Sequence, residues 1–136
     1  MSDRYTLVFP ARPEYLVLAR LALTGVARLA PVDEEALADL RLAVTEAAAN
    51  ACRHAYGDDG GDVTVHLALG DDDVLEVVVE DDGPGFDEDT VEQWDAQALG
   101  EDGMGIAIIR AVAENVEIGP RQDGTGTRLR FTRSLR

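Results

Sequence analysis

Glu46 and Asn50 are polar residues placed four apart in a segment of helical composition, Leu37 to Tyr56. At this spacing they share one helix face with Arg53, away from the apolar stripe. The surrounding alanines stabilise a helix and leave room for a ligand, whereas a face that only met water would favour long Glu and Lys pairs. A carboxylate oxygen can accept a proton and an amide oxygen can bind a hard cation such as Mg²⁺, so this helix face is a candidate chemical site.

Two glycine turns follow this helix in the chain. The first, Asp81-Asp82-Gly83-Pro84-Gly85-Phe86, comes directly after a predicted strand and, taken alone, is also typical of an ordinary turn. Asp81 can accept a hydrogen bond from an exocyclic amine, and the glycines permit the close approach of a ligand. The second turn, Gly103-Met104-Gly105, opens a helical run and so presents free N–H groups to a phosphate. The sequence contains neither a Walker A nor a GxGxxG motif, so this phosphate site is of another type.

The other predicted elements must position these three segments. Apolar periodicity and turn residues first predict a strand over Tyr5–Phe9, a helix from Pro13 to about Leu29, and a helix capped by Asp33 and ended by Gly57. Two alternating strands follow over 63–69 and 75–79, joined by a turn at 70–73. After a loop over 87–102, the chain is predicted to form a helix over Gly105–Glu114 and strands over Val116–Ile118 and Thr127–Phe131. This order predicts the α+β class, with helices packed on one face of a mixed β-sheet. A length of 136 residues suits a single domain over residues 1–136.

Composition excludes several classes of function. The chain has 27 acidic and 12 basic residues, a formal net charge of −15, and such a surface disfavours nucleic acid and anionic membranes. We see no apolar run long enough for a membrane span and no signal peptide, so we expect a cytoplasmic protein. Cys52 is the single cysteine, and we interpret it as a small core residue.

The motifs together resemble a known superfamily. Glu46-Ala-Ala-Ala-Asn50-Ala-Cys-Arg-His54-Ala-Tyr56 resembles the N box of GHKL (Bergerat-fold) ATPases, and Asp81-x-Gly83-x-Gly85 and Gly103-Met104-Gly105 resemble its two glycine boxes. Gly124-Thr125-Gly126-Thr127 resembles its last turn. Within the superfamily the chain is similar to the bacterial anti-sigma factor serine kinases, in the opening Phe9-Pro10-Ala11-Arg12-Pro13-Glu14-Tyr15 and in the run Leu42-Ala43-Val44-Thr45-Glu46-Ala47.

This resemblance implies a two-layer sandwich with an ATP lid over about residues 87–102, and it implies roles for individual residues. Glu46 would be the general base, Asn50 the ligand of Mg²⁺, and Asp81 the residue that recognises adenine. The nucleotide would be lined by Gly83, Gly85, Gly103, Met104 and Gly105. Thr125 or Thr127 would contact phosphate. Arg53 would bind phosphate or be a surface charge, and His54 would be structural or a ligand.

The implied function is that of an ATP-dependent serine/threonine kinase that also sequesters a sigma factor. Its substrate would be an anti-anti-sigma protein of the STAS type, and it would form a homodimer. The lid departs from the pattern because it is strongly acidic and has no Lys or Arg. Three alternatives remain: an ATP-gated binding module without useful kinase activity, a stand-alone histidine-kinase catalytic domain, and a structural domain. Glu46 argues against the first, since a pure switch needs no base.

Overall fold

The computed structural model describes residues 3–54, 61–82, 104–122 and 126–136. Their helices and strands are β1 (Asp3–Pro10), a 3₁₀ turn (Pro13–Tyr15), α1 (Leu16–Ala27), α2 (Glu34–His54), β2 (Asp62–Leu69), β3 (Val74–Asp81), α3 (Met104–Val112), β4 (Glu114–Gly119) and β5 (Thr127–Ser134). Among these described residues the predicted order of helices and strands is confirmed, whereas the predicted loop over 87–102 lies outside them. Most predicted bounds differ from these by one to three residues, the usual uncertainty at element ends.

The sheet has five strands in the order β1-β2-β3-β5-β4. The expectation of a mixed sheet is wrong in one respect, because every neighbouring pair among the described strands is antiparallel. The cause lies in the connections. Because α1 and α2 lie between β1 and β2, the chain re-enters the sheet at the end where β1 finishes. Strand β2 therefore runs antiparallel to β1. Strands β3 and β4 both pair antiparallel with β5 and therefore run parallel to each other, but β5 lies between them and separates them.

One face of the sheet forms the core against α1 and α2. Alternate residues of the strands point to this face, because successive side chains of a strand point to opposite sides. They are Val63, Val65 and Leu67 of β2, Leu75, Val77 and Val79 of β3, and Leu129 and Phe131 of β5, all buried. The apolar stripe of α2 meets them with Leu37, Leu40, Val44, Ala47 and Ala51, as its period predicts. The α+β class with helices on one face is therefore confirmed.

The opposite face of the sheet is polar and carries a cavity. This open hollow of about 570 Å³ includes Arg4, His66, Glu80, Arg121 and Arg128 in its walls. It faces away from α2 and from the candidate site described below. None of the described helices is long and apolar enough to cross a lipid bilayer.

Candidate functional site

Helix α2 places Glu46 and Asn50 one turn apart where it faces α3. Asn50 is 5% exposed, which is unusual for an amide in a helix that is otherwise packed through alanine and leucine. Glu46 is half-buried, and its carboxylate makes no hydrogen bond or ion pair with another described residue. A half-buried carboxylate without such partners keeps its lone pairs available to accept a proton from an incoming group.

Gly105, near the start of α3, lies directly against both of these side chains. A Cβ atom added to Gly105 would stand 2.9 Å from Glu46 Oε2 and 3.2 Å from Asn50 Nδ2. A glycine is therefore what lets the first turn of α3 approach the polar face of α2. The arrangement brings a carboxylate, an amide and the N-terminal end of a helix to one place, although they lie about 60 residues apart in the chain.

Asp81 lies at the end of β3, on the side of the sheet that faces α2. The β3–β5 register sets Asp81 opposite Thr127, and both are buried, at 5% and 7% exposure. Both residues line a small cavity together with Asn50, Ala47 and Ala51. Asn50 therefore connects two polar groups of residues: Asp81 and Thr127 on one side, and Glu46 and Gly105 on the other.

Gly126 and Arg121 both contact the backbone at Asp81, and the sequence motifs assigned no individual role to either residue. Gly126 has φ +65, and a Cβ atom there would collide with the carbonyl oxygen of Asp81. Arg121 Nη1 donates a hydrogen bond to the same carbonyl at 3.4 Å, and its Nε lies 3.9 Å from Glu80 Oε2. The GTGT pattern was a signal for Gly126, whereas the role of Arg121 depends on tertiary structure alone.

The third polar residue of the helix face, Arg53, contacts Asn50. Its Nη2 donates a hydrogen bond to Asn50 Oδ1 at 2.6 Å. The shared helix face was predicted, but this contact was not. The neighbouring Cys52 is partly buried against the core, and burial raises the pKa of its thiol above the ordinary value of 9.0, opposed by the charge of Arg53 and assisted by that of Glu14.

Several predicted site residues lie outside the described residues: Gly83, Gly85, Gly103, Thr125 and the lid over 87–102. Their roles stay predictions. Met104 is the first residue of α3, and His54 is the last residue of α2.

The donor set fits a magnesium ion that is carried by phosphate. Asn50 supplies an amide oxygen, a ligand type that this hard cation prefers, and Mg²⁺ in phosphoryl-transfer sites commonly has one or two protein ligands besides phosphate and water. Across the four described ranges, no group of three or more His, Cys, Asp or Glu residues could hold a metal ion. The close approach of Gly105 to both side chains brings the N-terminal end of α3, which favours an anion such as a phosphate, beside them.

Comparison with known proteins gives concordant matches. Residues 9–133 match the family of the histidine kinase-like ATPase domain. The chain is 39% identical over 127 residues to Serine-protein kinase RsbW of Listeria monocytogenes serotype 4a (strain HCC23), with 87% of this chain and 80% of that protein covered. It is 32% identical over 143 residues to Serine-protein kinase RsbW of Bacillus subtilis (strain 168), with 98% and 87% covered.

Two solved structures share the fold. One contains the RsbU and RsbW domains of Rv1364c from Mycobacterium tuberculosis, and it superposes with a TM-score of 0.71 at 21% identity over 98% of this chain and 32% of that chain. The other is the histidine kinase domain of the blue-light activated histidine kinase of Erythrobacter litoralis EL346, with a TM-score of 0.60 at 26% identity over 93% and 62% of the two chains.

Proposed function

Because the chain belongs to the histidine kinase-like ATPase family and, within it, to the anti-sigma factor serine kinases, we propose that it binds a sigma factor and phosphorylates a STAS-type anti-anti-sigma protein. Its phosphoryl donor is ATP, and the acceptor is a serine or threonine hydroxyl. The observation that carries the proposal is the meeting of Glu46, Asn50 and Gly105, since a base, a hard amide oxygen and a helix N-terminus are the parts that phosphoryl transfer needs.

The nucleotide lies along the line from Asp81 to Gly105. Asp81 accepts a hydrogen bond from the adenine amino group, and the hydroxyl of Thr127 works beside it, since the two face each other across β3 and β5. Thr127 thus lies at the adenine end of the proposed site and not at the phosphate end. Asn50 Oδ1 holds Mg²⁺, which when bound neutralises charge on the phosphate oxygens. The N–H groups at the start of α3 face the phosphates.

Glu46 acts as the general base. The substrate hydroxyl oxygen forms a bond to the γ-phosphorus, the bond from that phosphorus to the β,γ-bridging oxygen breaks, and ADP leaves with the bond's electron pair. The hydroxyl proton passes to Glu46. The absence of any described partner for this carboxylate supports the role, because a carboxylate committed to an ion pair is a weaker base.

The proposal extends to the setting of the reaction. The protein works in the cytoplasm as a homodimer. The net charge of −15 supports protein partners over nucleic acid, because like charges repel a phosphate backbone.

The decisive experiment separates nucleotide binding from transfer. Calorimetry measures ATP binding, with and without Mg²⁺, for the wild type, Glu46→Gln and Asn50→Ala. Each protein is then tested for transfer of radiolabel from γ-labelled ATP to STAS-domain proteins of the same genome. We expect Glu46→Gln to bind Mg-ATP normally but to lose transfer by about 10²-fold or more. We expect Asn50→Ala to lose the magnesium dependence of binding.

Two outcomes would contradict this assignment. Normal transfer by Glu46→Gln would refute the base, and an unchanged magnesium dependence in Asn50→Ala would refute the metal ligand. Binding of Mg-ATP by the wild type without transfer to any STAS protein would instead favour an ATP-gated binding module.

A further inference from the structure

The hydrogen bond between Arg53 and Asn50 occupies the oxygen on which the proposed magnesium site depends. It joins a cationic donor to a neutral amide at 2.6 Å, which is short for an N–H···O bond and typical of a charge-assisted one. Asn50 is buried and held by its packing, whereas Arg53 is exposed at the end of the helix. Any exchange of partners therefore moves Arg53 and leaves Asn50 in place.

A divalent cation and a guanidinium group compete at this oxygen for two reasons. The guanidinium takes up one of the two lone pairs of the amide oxygen, and its charge repels a cation brought to the other. Arginine stays protonated at every accessible pH, so deprotonation offers no escape from that repulsion. The cation is favoured at Asn50 only when Arg53 has another partner.

A polyphosphate is the partner whose chemistry fits. It carries negative charge and pairs of acceptor oxygens to which a guanidinium can donate two parallel hydrogen bonds. The start of α3, which the proposed function assigns to the phosphates, lies against Asn50. Arg53 can therefore exchange the amide oxygen for a phosphate oxygen by moving its exposed end alone.

We propose that Arg53 is a positioning residue that reserves Asn50 Oδ1 in the nucleotide-free protein and releases it when the polyphosphate binds. Divalent cation and nucleotide consequently bind as an obligate pair, and the free cation is rejected. This inference rests on the proposed function, since it requires Asn50 to be the metal ligand.

The experiment titrates Mn²⁺ without nucleotide into the isotope-labelled full chain. The readout is paramagnetic broadening of the Asn50 side-chain amide and of the Gly105 backbone amide. We compare the wild type with Arg53→Met, which keeps the apolar stem but removes the donor and its charge. Arg4→Met is the matched control, because it makes the same change of charge on the opposite face of the sheet. We expect Arg53→Met alone to show the broadening at an Mn²⁺ concentration about tenfold lower, the factor expected on losing one charge-assisted hydrogen bond.

The double variant Arg53→Met/Asn50→Ala should again need the higher Mn²⁺ concentration for broadening of the Gly105 amide. This result would show that the tighter Mn²⁺ binding of Arg53→Met depends on Asn50 and not on the acidic surface. Equal broadening in the wild type and Arg53→Met would overturn the inference, and so would an equal gain in Arg4→Met. Calorimetry with Mg-ATP on the same samples tells the two failures apart. If wild-type binding depends on Asn50 but Arg53→Met gains no Mn²⁺, the gating by Arg53 is wrong and the proposed site stands. If Asn50→Ala leaves Mg-ATP binding unchanged, the proposed site itself is wrong.

Discussion

Gly105 of α3 and Glu46 of α2 are so close that a Cβ atom on the glycine would stand 2.9 Å from the carboxylate oxygen Oε2. The contact joins the two helices at a point where one carries the candidate base and the other begins. It makes the position of the base depend on a residue that has no side chain. Substitutions at this contact can therefore separate catalysis from folding.

Gly105→Ala should leave folding nearly intact and damage transfer. Glu46 has a flexible end that can move away, Asn50 has to give way by only a few tenths of an ångström, and alanine favours the helix. We therefore expect the free energy of unfolding to change by less than about 1 kcal/mol. A displaced base should lower phosphotransfer by up to about 10²-fold. Urea unfolding and radiolabel transfer measure the two effects.

Gly25→Ala is the control for this prediction. Gly25 is also helical, but a Cβ atom there meets nothing within 4 Å. This variant should gain about 0.4–1 kcal/mol of stability and keep full transfer. A Gly105→Ala protein with normal transfer would show that Glu46 does not act from this position.

Gly126→Ala should destabilise the protein and weaken nucleotide binding. The residue has φ +65, and the new Cβ would collide with the Asp81 carbonyl, so we expect a loss of about 1–3 kcal/mol in urea unfolding. Because Asp81 must shift, the ATP affinity measured by calorimetry should fall as well. Gly119→Ala in β4 has open space around the new Cβ and should change stability by about 0.5 kcal/mol or less. Equal stability of the two variants would contradict the proposed constraint.

Arg133→Met should cost more stability than Arg28→Met, although both remove one positive charge. Arg133 Nη2 lies 3.0 Å from Asp39 Oδ2, with both side chains about three-quarters buried, and the pair ties β5 to α2. Leaving Asp39 there without its arginine should cost about 1–3 kcal/mol. The pair of Arg28 and Glu34, at 3.5 Å, is largely exposed, so its loss should cost less than about 1 kcal/mol. Chemical unfolding of both variants tests this order, and equal losses would contradict it.

Cys52 should add a pH-dependent contribution to stability. Its thiol pKa is raised by burial, so the folded state holds the proton more tightly than the unfolded state. That contribution is complete below the unfolded pKa and is lost as the pH rises through the folded value, which lies above 9.0. The wild type should therefore lose more stability than Cys52→Ala between pH 8 and pH 10, in the range of an ordinary thiol pKa. Parallel pH curves for the two proteins would show that the thiol is not desolvated.

Helix α2 could be predicted because the residue spacings that define its faces lie within the helix itself. The period of Leu37, Leu40 and Val44 defines the buried face of α2, and the spacing of Glu46 and Asn50 defines a second face. Alternation in β2 and β3, with the Gly70–Asp73 turn between them, likewise needs only neighbouring residues.

The remaining features depend on parts of the chain that are distant in sequence. No local pattern places β5 between β3 and β4, so the expectation of a mixed sheet was wrong. Arg121 reaches the Asp81 carbonyl across 40 positions of the chain. Arg53 was assigned to the correct face, but only side-chain geometry shows which atom of Asn50 it contacts.

The position of β5 has a consequence for biosynthesis. It is the last strand of the described chain, yet it lies inside the sheet and faces Asp81 with Thr127. Until β5 has left the ribosome, β3 presents an open edge and the small cavity at Asp81 lacks the wall that Thr127 supplies. A nascent chain therefore completes this cavity only when β5 inserts between β3 and β4.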